Sequence, residues 1–279
     1  MKKGTYCRYD ATFSHEMSEG ALRLYLPTED GYINYNIAHT VVPKIVCDTW
    51  RLSYAFACDD HLANEYPITP NAEWDMAVKL CGRDDFIGGR MHGDEVFTDM
   101  RLLIDGEARE MTALTETIPF EEVRVQVDSV GYDPADHESV ALLHSKEIAV
   151  TAKGVILTQR VEWQNDYALE SCYLAMMPPA KSLTDFYYTD VDPTPRPITE
   201  HRFEVEGCRS ATLFGKESGF SFRMAVPRYP ACELGSLFLM SDNKSDRYNK
   251  MYFPVCRDFS VKRGECWESR TEYEIQRKR

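Results

Sequence analysis

The sequence has no C-x-x-C pair, no apolar run long enough to span a bilayer, and no basic cluster beyond Arg277-Lys278-Arg279 at its end. The first absence, with nine cysteines scattered irregularly, argues against a disulfide framework and for small buried thiols in a reducing compartment. The second leaves no candidate transmembrane helix, and the membrane is not expected as a partner. The third, at a net charge of -13, removes the electrostatic footprint that phosphate backbones require, so nucleic acid is not expected either. Residues 1–10 begin basic but lack an apolar core of the signal-peptide kind, which leads to an expectation of cytoplasmic residence. The G-x-G-x-x-G, G-x-S-x-G and H-E-x-x-H spacings are missing as well, so dinucleotide binding, the nucleophile elbow and zincin chemistry have no support. No cofactor is expected.

What the chain does have is short alternating runs. Val123, Val125 and Val127 fall on one side of an extended segment, and Arg124, Gln126 and Asp128 on the other. Residues 21–26 and 32–37 alternate around a Gly-containing turn, and residues 147–150 and 155–163 flank Lys153-Gly154. Both read as hairpins. Residues 73–80 fit a strand or a short helix equally well. The stretch 190–197 carries three prolines and no periodicity and is expected to be a long loop. Sustained helical periods are few. The expected fold is all-β, an antiparallel β-sandwich or jelly roll with few short helices, formed as one domain over residues 1–279.

Residues 84–95 are the strongest site candidate. Three glycines there surround Arg90, His92, Asp94 and Glu95. Glycine permits positive φ and close backbone approach. His92 titrates near neutral pH, Glu95 is placed to orient it, and Arg90 suits a carboxylate. A metal site using His92, Asp94 and Glu95 would need a further ligand such as His61 or His144, and no metal is assigned. A second cluster joins His144 to Gln159, Arg160 and Trp163. In a strand, Gln159 and Trp163 share one side and Arg160 and Glu162 the other. Trp163 suits stacking on a sugar or packing in the core. The third cluster puts Lys250 and Tyr252 on one face, where the ammonium is expected to ease ionisation of the phenol. Tyr173 sits in an apolar run and completes the candidate substrate-binding set.

These ingredients resemble those of β-jelly-roll carbohydrate-active enzymes, in particular polysaccharide lyases, although the Gln-x-His element of that class is absent. The resemblance implies that Arg90, His92, Gln159, Lys250 and Tyr252 line a concave sheet. It implies β-elimination at a uronic acid, with Arg90 neutralising the carboxylate and His92 and Tyr252 as base and acid. The alternatives are a hydrolase pairing Glu95 with Glu162 or Glu147, and a noncatalytic sugar-binding or assembly module stacking sugars on Trp163, Trp50 and tyrosines. The expected partner is an oligo- or polysaccharide, and assembly into a homo-oligomer is left open.

Overall fold

The computed structural model describes residues 3–14, 17–89, 92–230, 237–242 and 247–278. In chain order the strands are β1 (Tyr6–Asp10), β2 (Ser18–Pro27), β3 (Tyr32–Val42), β4 (Cys47–Cys58), β5 (Tyr66–Pro67), β6 (Ala77–Leu80) and β7 (Phe86–Gly88). There follow β8 (Glu95–Ile104), β9 (Glu107–Arg109), β10 (Ile118–Pro119), β11 (Glu122–Tyr132), β12 (Val140–Thr151), β13 (Gly154–Trp163) and β14 (Tyr167–Met177). The last are β15 (Phe186–Thr189), β16 (Arg196–Pro197), β17 (Arg202–Glu206), β18 (Ser210–Phe214), β19 (Phe220–Arg228), β20 (Leu237–Asp242), β21 (Asn249–Val261) and β22 (Cys266–Arg277). Helical structure among the described residues is limited to three 3-10 turns, at 43–45, 111–113 and 181–183. No described helix is long and apolar enough to cross a membrane.

The strands form two sheets. The larger runs β10-β1-β2-β3-β4-β8-β11-β12-β13-β22-β19-β18-β15-β16, with β5 beside β4 and β9 beside β8. The smaller runs β17-β20-β21-β14-β6-β7. All pairings are antiparallel except β4 with β8, which meet in parallel at Cys47–Glu95 and Asp48–Val96. The expected hairpins are β2–β3 and β12–β13. The stretch 190–197 is largely irregular, but Arg196 and Pro197 pair with Tyr187 and Phe186. Residues 73–76 join no named strand and bend at Asp75, and β6 begins at Ala77.

Alternation explains the core. On β12, Leu142, His144, Lys146, Ile148 and Val150 all point inward and are buried. Leu142 belongs to one apolar cluster with Val78, Trp163 and Leu174. Ile148 and Val150 belong to another with Leu24, Val125 and Phe253. Between them lies a polar band: Ser129 on β11, His144 and Lys146 on β12, Gln159 on β13, and Ser269 and Thr271 on β22, all buried. Buried polar groups are tolerated only where they find partners, so this band is where chemistry beyond packing has to be sought. Burial pushes the thiols of Cys7, Cys58 and Cys208 up to about 12, which leaves them as small protonated core groups.

Trp163 is fully buried and meets Trp267 edge to face, with ring centroids 5.4 Å apart. Trp163→Ala is expected to cost ~3–5 kcal/mol through lost contacts and a residual cavity. Urea denaturation would read this as a lower midpoint at unchanged slope.

Candidate functional site

The loop from β7 to β8 is shaped by its glycines. Gly93 has φ 81°, and a Cβ there would lie 1.9 Å from the carbonyl oxygen of Ile45. Gly88 has φ 73°, and its Cβ would meet the carbonyl oxygen of Met76 at 2.6 Å. Only glycine fits either position. The loop closes on itself through the Gly88 N–H donating to the Gly93 carbonyl at 2.8 Å, and Gly89 N–H donates to Met76 at 2.7 Å. His92 is therefore presented on backbone held from two sides.

The imidazole of His92 is about a third exposed. Its Nδ1 is hydrogen-bonded to Asp85, and its ring packs 4.8 Å from that of Phe86. With Nδ1 engaged, Nε2 faces Glu73 Oε1 across 3.9 Å. The other Glu73 oxygen accepts from Lys250 Nζ, and the Lys250 side chain is only 6% exposed. The ammonium lies 5.0 Å from the ring of Tyr252, whose centroid is 5.1 Å from that of Tyr173. Asp85, His92, Glu73 and Lys250 thus form a chain of alternating acid and base, walled by Phe86, Tyr252 and Tyr173.

The electrostatics differ from the sequence expectation at Tyr252. Burial pushes its phenol up, and Glu73, Tyr173 and Tyr248 push it further. Lys250 does not ease its ionisation, because the ammonium is matched by Glu73. At Glu73, burial works against the charged form, but the charge and hydrogen bond of Lys250, followed by His92 and Arg51, outweigh it. Its carboxyl is held below the usual range and is ionised at neutral pH.

Inward of this rim lies a hub of buried charges. Glu95 Oε1 accepts from Ser129 Oγ at 2.8 Å, His144 Nδ1 at 2.9 Å and Lys146 Nζ at 3.4 Å, and Oε2 accepts from Arg51 Nη2 at 3.4 Å. Lys146 also donates to Asp75 Oδ2 at 2.9 Å. Burial pushes the Glu95 carboxyl up, but Lys146, His144 and Arg51 together hold it well below the carboxylate range.

The residues singled out from sequence are divided among several places. His92, Lys250 and Tyr252 gather around Glu73, and Tyr173 packs on Tyr252. Glu95 and His144 contact each other inside the hub, where Glu95 does not touch His92. Gln159 is buried and bridges the two sheets, donating to the Leu174 carbonyl at 2.6 Å. Trp163 is closed inside the core and offers no face for stacking. Arg160 lies on the outer face of the larger sheet, where it pairs with Glu162 at 2.7 Å. Glu147 and Glu162 share that outer face, whereas Glu95 points inward, so the sheet separates the carboxylates of the proposed hydrolase pair. Arg90 lies outside the described residues. Asp94 turns away from His92 toward His137, with Oδ1 2.5 Å from Nδ1. Among the described residues no group of three or more metal-capable side chains converges. Glu73 was not singled out, and Asp85 only as part of residues 84–95; the contact of each with His92 is made by folding.

No family model matches the chain, and no curated protein does. Solved structures do. The galactosidase domain of an α-galactosidase–sucrose kinase superposes over 91% of this chain with a TM-score of 0.55 at 8% identity. The likeness is one of fold. It covers 40% of that other chain, so this chain corresponds to less than half of it. A galactose mutarotase-like protein from Lactobacillus casei aligns over 91% of this chain and all of its own length, with TM-score 0.46 and 8% identity. Another from Clostridium acetobutylicum aligns over 98% of this chain and 99% of its own, with TM-score 0.43 and 10% identity. The β-sandwich expected from the alternating runs is thus the architecture shared with the galactosidase domain.

Proposed function

We propose that this protein acts on a carbohydrate and that its chemistry is proton transfer at the anomeric centre of an aldose, a 1-epimerisation, rather than chain cleavage. The observation that carries this reading is the Glu73–His92 pair. Its facing atoms are 3.9 Å apart, too far for a hydrogen bond to each other and suited to contacting two oxygens borne by one carbon. Glu73, kept ionised by Lys250, takes the proton from the C1 hydroxyl. His92, oriented through Nδ1 by Asp85, gives one to the ring oxygen as the bond from C1 to that oxygen breaks. Rotation about the C1–C2 bond of the open aldehyde turns its other face to the ring hydroxyl. Closure reverses both transfers, so His92 and Glu73 end as they began. The fold shared with a galactosidase domain supports a sugar as the ligand, and the rings of Tyr173 and Tyr252 supply apolar faces of the kind sugars pack against.

In the lyase reading the Tyr252 phenol is held protonated, which leaves His92 as the base, and the cation for the uronate would be Arg90, since Lys250 is matched by Glu73. A noncatalytic sugar-binding role is the second reading, favoured by the Tyr173–Tyr252 pair alone. Polarimetry of freshly dissolved α-D-galactose and α-D-glucose, together with ultraviolet absorbance on a uronate-containing oligosaccharide, tests all three. Acceleration of the approach to equilibrium, reduced about 10²-fold or more in Glu73→Gln, is expected. Ultraviolet absorbance from an unsaturated uronide without mutarotation would establish the lyase instead, and binding without either signal the module.

A further inference from the structure

A second polar site lies on the β2–β3 face, built from residues that the Glu73 cluster does not use. Direct cross-strand pairing sets Arg23 opposite Asn36 and Tyr25 opposite Asn34, so all four side chains share one side of the sheet. All are buried, with Tyr25, Asn34 and Asn36 at 0% exposure. Each keeps a polar atom with no partner among the described residues: Arg23 Nε, Tyr25 OH, Asn34 Oδ1 and Asn36 Oδ1. Native interiors seldom leave such groups unmatched, and here four occur on one patch. The residues after β4 cover them. Asp59 Oδ1 accepts from the backbone N–H groups of His61 and Ala63, which makes residues 59–63 a self-contained turn. Glu65 fastens it to the floor, accepting from Asn34 Nδ2 at 2.9 Å and from Arg23. Arg23 also reaches Asp10 at 3.2 Å, and its guanidinium carbon lies 5.8 Å from the rings of both Phe13 and Tyr25.

We infer that this patch binds a neutral sugar or related polyol between the β2–β3 floor and Glu65. The charge count gives an anion no excess of cation: Arg23 and its cross-strand partner Arg8 stand against two carboxylates, Asp10 and Glu65, so the patch is balanced. The unmatched atoms comprise donors on Arg23 and on its cross-strand partner Arg8, two amide acceptors, and a phenol that both donates and accepts. Burial pushes that phenol up, and it stays protonated. Hydroxyl groups, which donate and accept, are the ligand chemistry that satisfies such a mixture, and Phe13 and Tyr25 supply the apolar faces. The way in is the rim formed by Arg23 and Glu65, so binding exchanges the Glu65 contacts for contacts to the ligand.

The test is nuclear magnetic resonance of the full chain, following the side-chain amides of Asn34 and Asn36 during titration with D-galactose, D-glucose and lactose, with D-galacturonate as the anionic control. The same titration in Glu73→Gln separates this site from the proposed catalytic one. Saturable shifts of both amides with a neutral sugar, retained in Glu73→Gln and weakened at least tenfold in Glu65→Gln, are expected. Amides unmoved at saturating neutral sugar would overturn the inference and assign the unmatched atoms to bound water. So would tighter binding of galacturonate than of every neutral sugar. Neither result depends on whether the protein mutarotates anything.

Discussion

Glu95→Ala is expected to lower the stability of the fold by ~3–5 kcal/mol, the range for removing one partner of a buried ion pair. Glu95 is the acceptor on which Ser129, His144, Lys146 and Arg51 converge. Without it, Arg51 retains among the described residues the Cys47 sulfur, 3.7 Å away, as a hydrogen-bond partner, with the charges of Asp75 and Glu73 nearby. Lys146 is better protected, because Asp75 remains at 2.9 Å. The cost should therefore fall more on the guanidinium than on Lys146, and a second substitution, Arg51→Met, should recover part of it by removing a buried charge that has lost its carboxylate hydrogen bond. Equal losses in the single and double variants would show that Arg51 is not the source. The same carboxyl predicts a pH dependence. Its folded pKa lies below the ordinary value, so the stabilisation it contributes is present above the unfolded pKa of about 4.3 and is lost as pH falls through the folded value. Thermal melts from neutral to acid pH should show a steeper loss for the wild type than for Glu95→Gln, which has no proton to take up at this position.

This hub also shows where sequence reasoning stops. Period-two alternation was readable because one face of β11 is apolar. Val123, Val125 and Val127 are buried, and Arg124 on the other face reaches Glu122 and Glu147. Alternation also separated Gln159 and Trp163 from Arg160. It did not say which side faced inward, because His144, Lys146 and Gln159 put polar residues at core positions and so imitate a solvated face. The pairing of Lys250 with Tyr252 followed from the same period. The partner of Lys250 did not, since Glu73 is 177 residues away in the chain. Nor did the irregular course of residues 73–76, which is fixed by bonds to other elements: the Trp74 carbonyl accepts from Met176 N–H at 3.1 Å and from the Tyr273 hydroxyl at 2.7 Å. The loop at 88–93 was legible as unusual because of its glycines. Their physical reason, the approach of Ile45 and Met76, lies in segments that sequence spacing could not connect to it.

His92→Ala carries as large an expected effect on activity as Glu73→Gln. If Glu73 and His92 exchange protons with the anomeric centre, removing the imidazole should slow mutarotation by about 10²-fold or more, the usual scale for a general acid or base. The melting temperature should move little, because the side chain is one-third exposed and its contacts are few: Asp85, the Phe86 ring and, at 3.9 Å, Glu73. The loop itself is held by backbone bonds that the substitution leaves in place. Asp85→Asn should fall between wild type and His92→Ala, since the amide still occupies the position but no longer fixes the Nδ1 proton through a charge-assisted bond. A positioning role for Asp85 predicts a changed pH profile in that variant, which a purely structural role would not produce. If His92→Ala instead melts early and retains activity in proportion to its folded fraction, the imidazole is a structural contact. If it melts and turns over as the wild type does, His92 leaves the mechanism, and the proton transfers fall to Glu73 with Lys250, the remaining titratable pair within reach of the same rim.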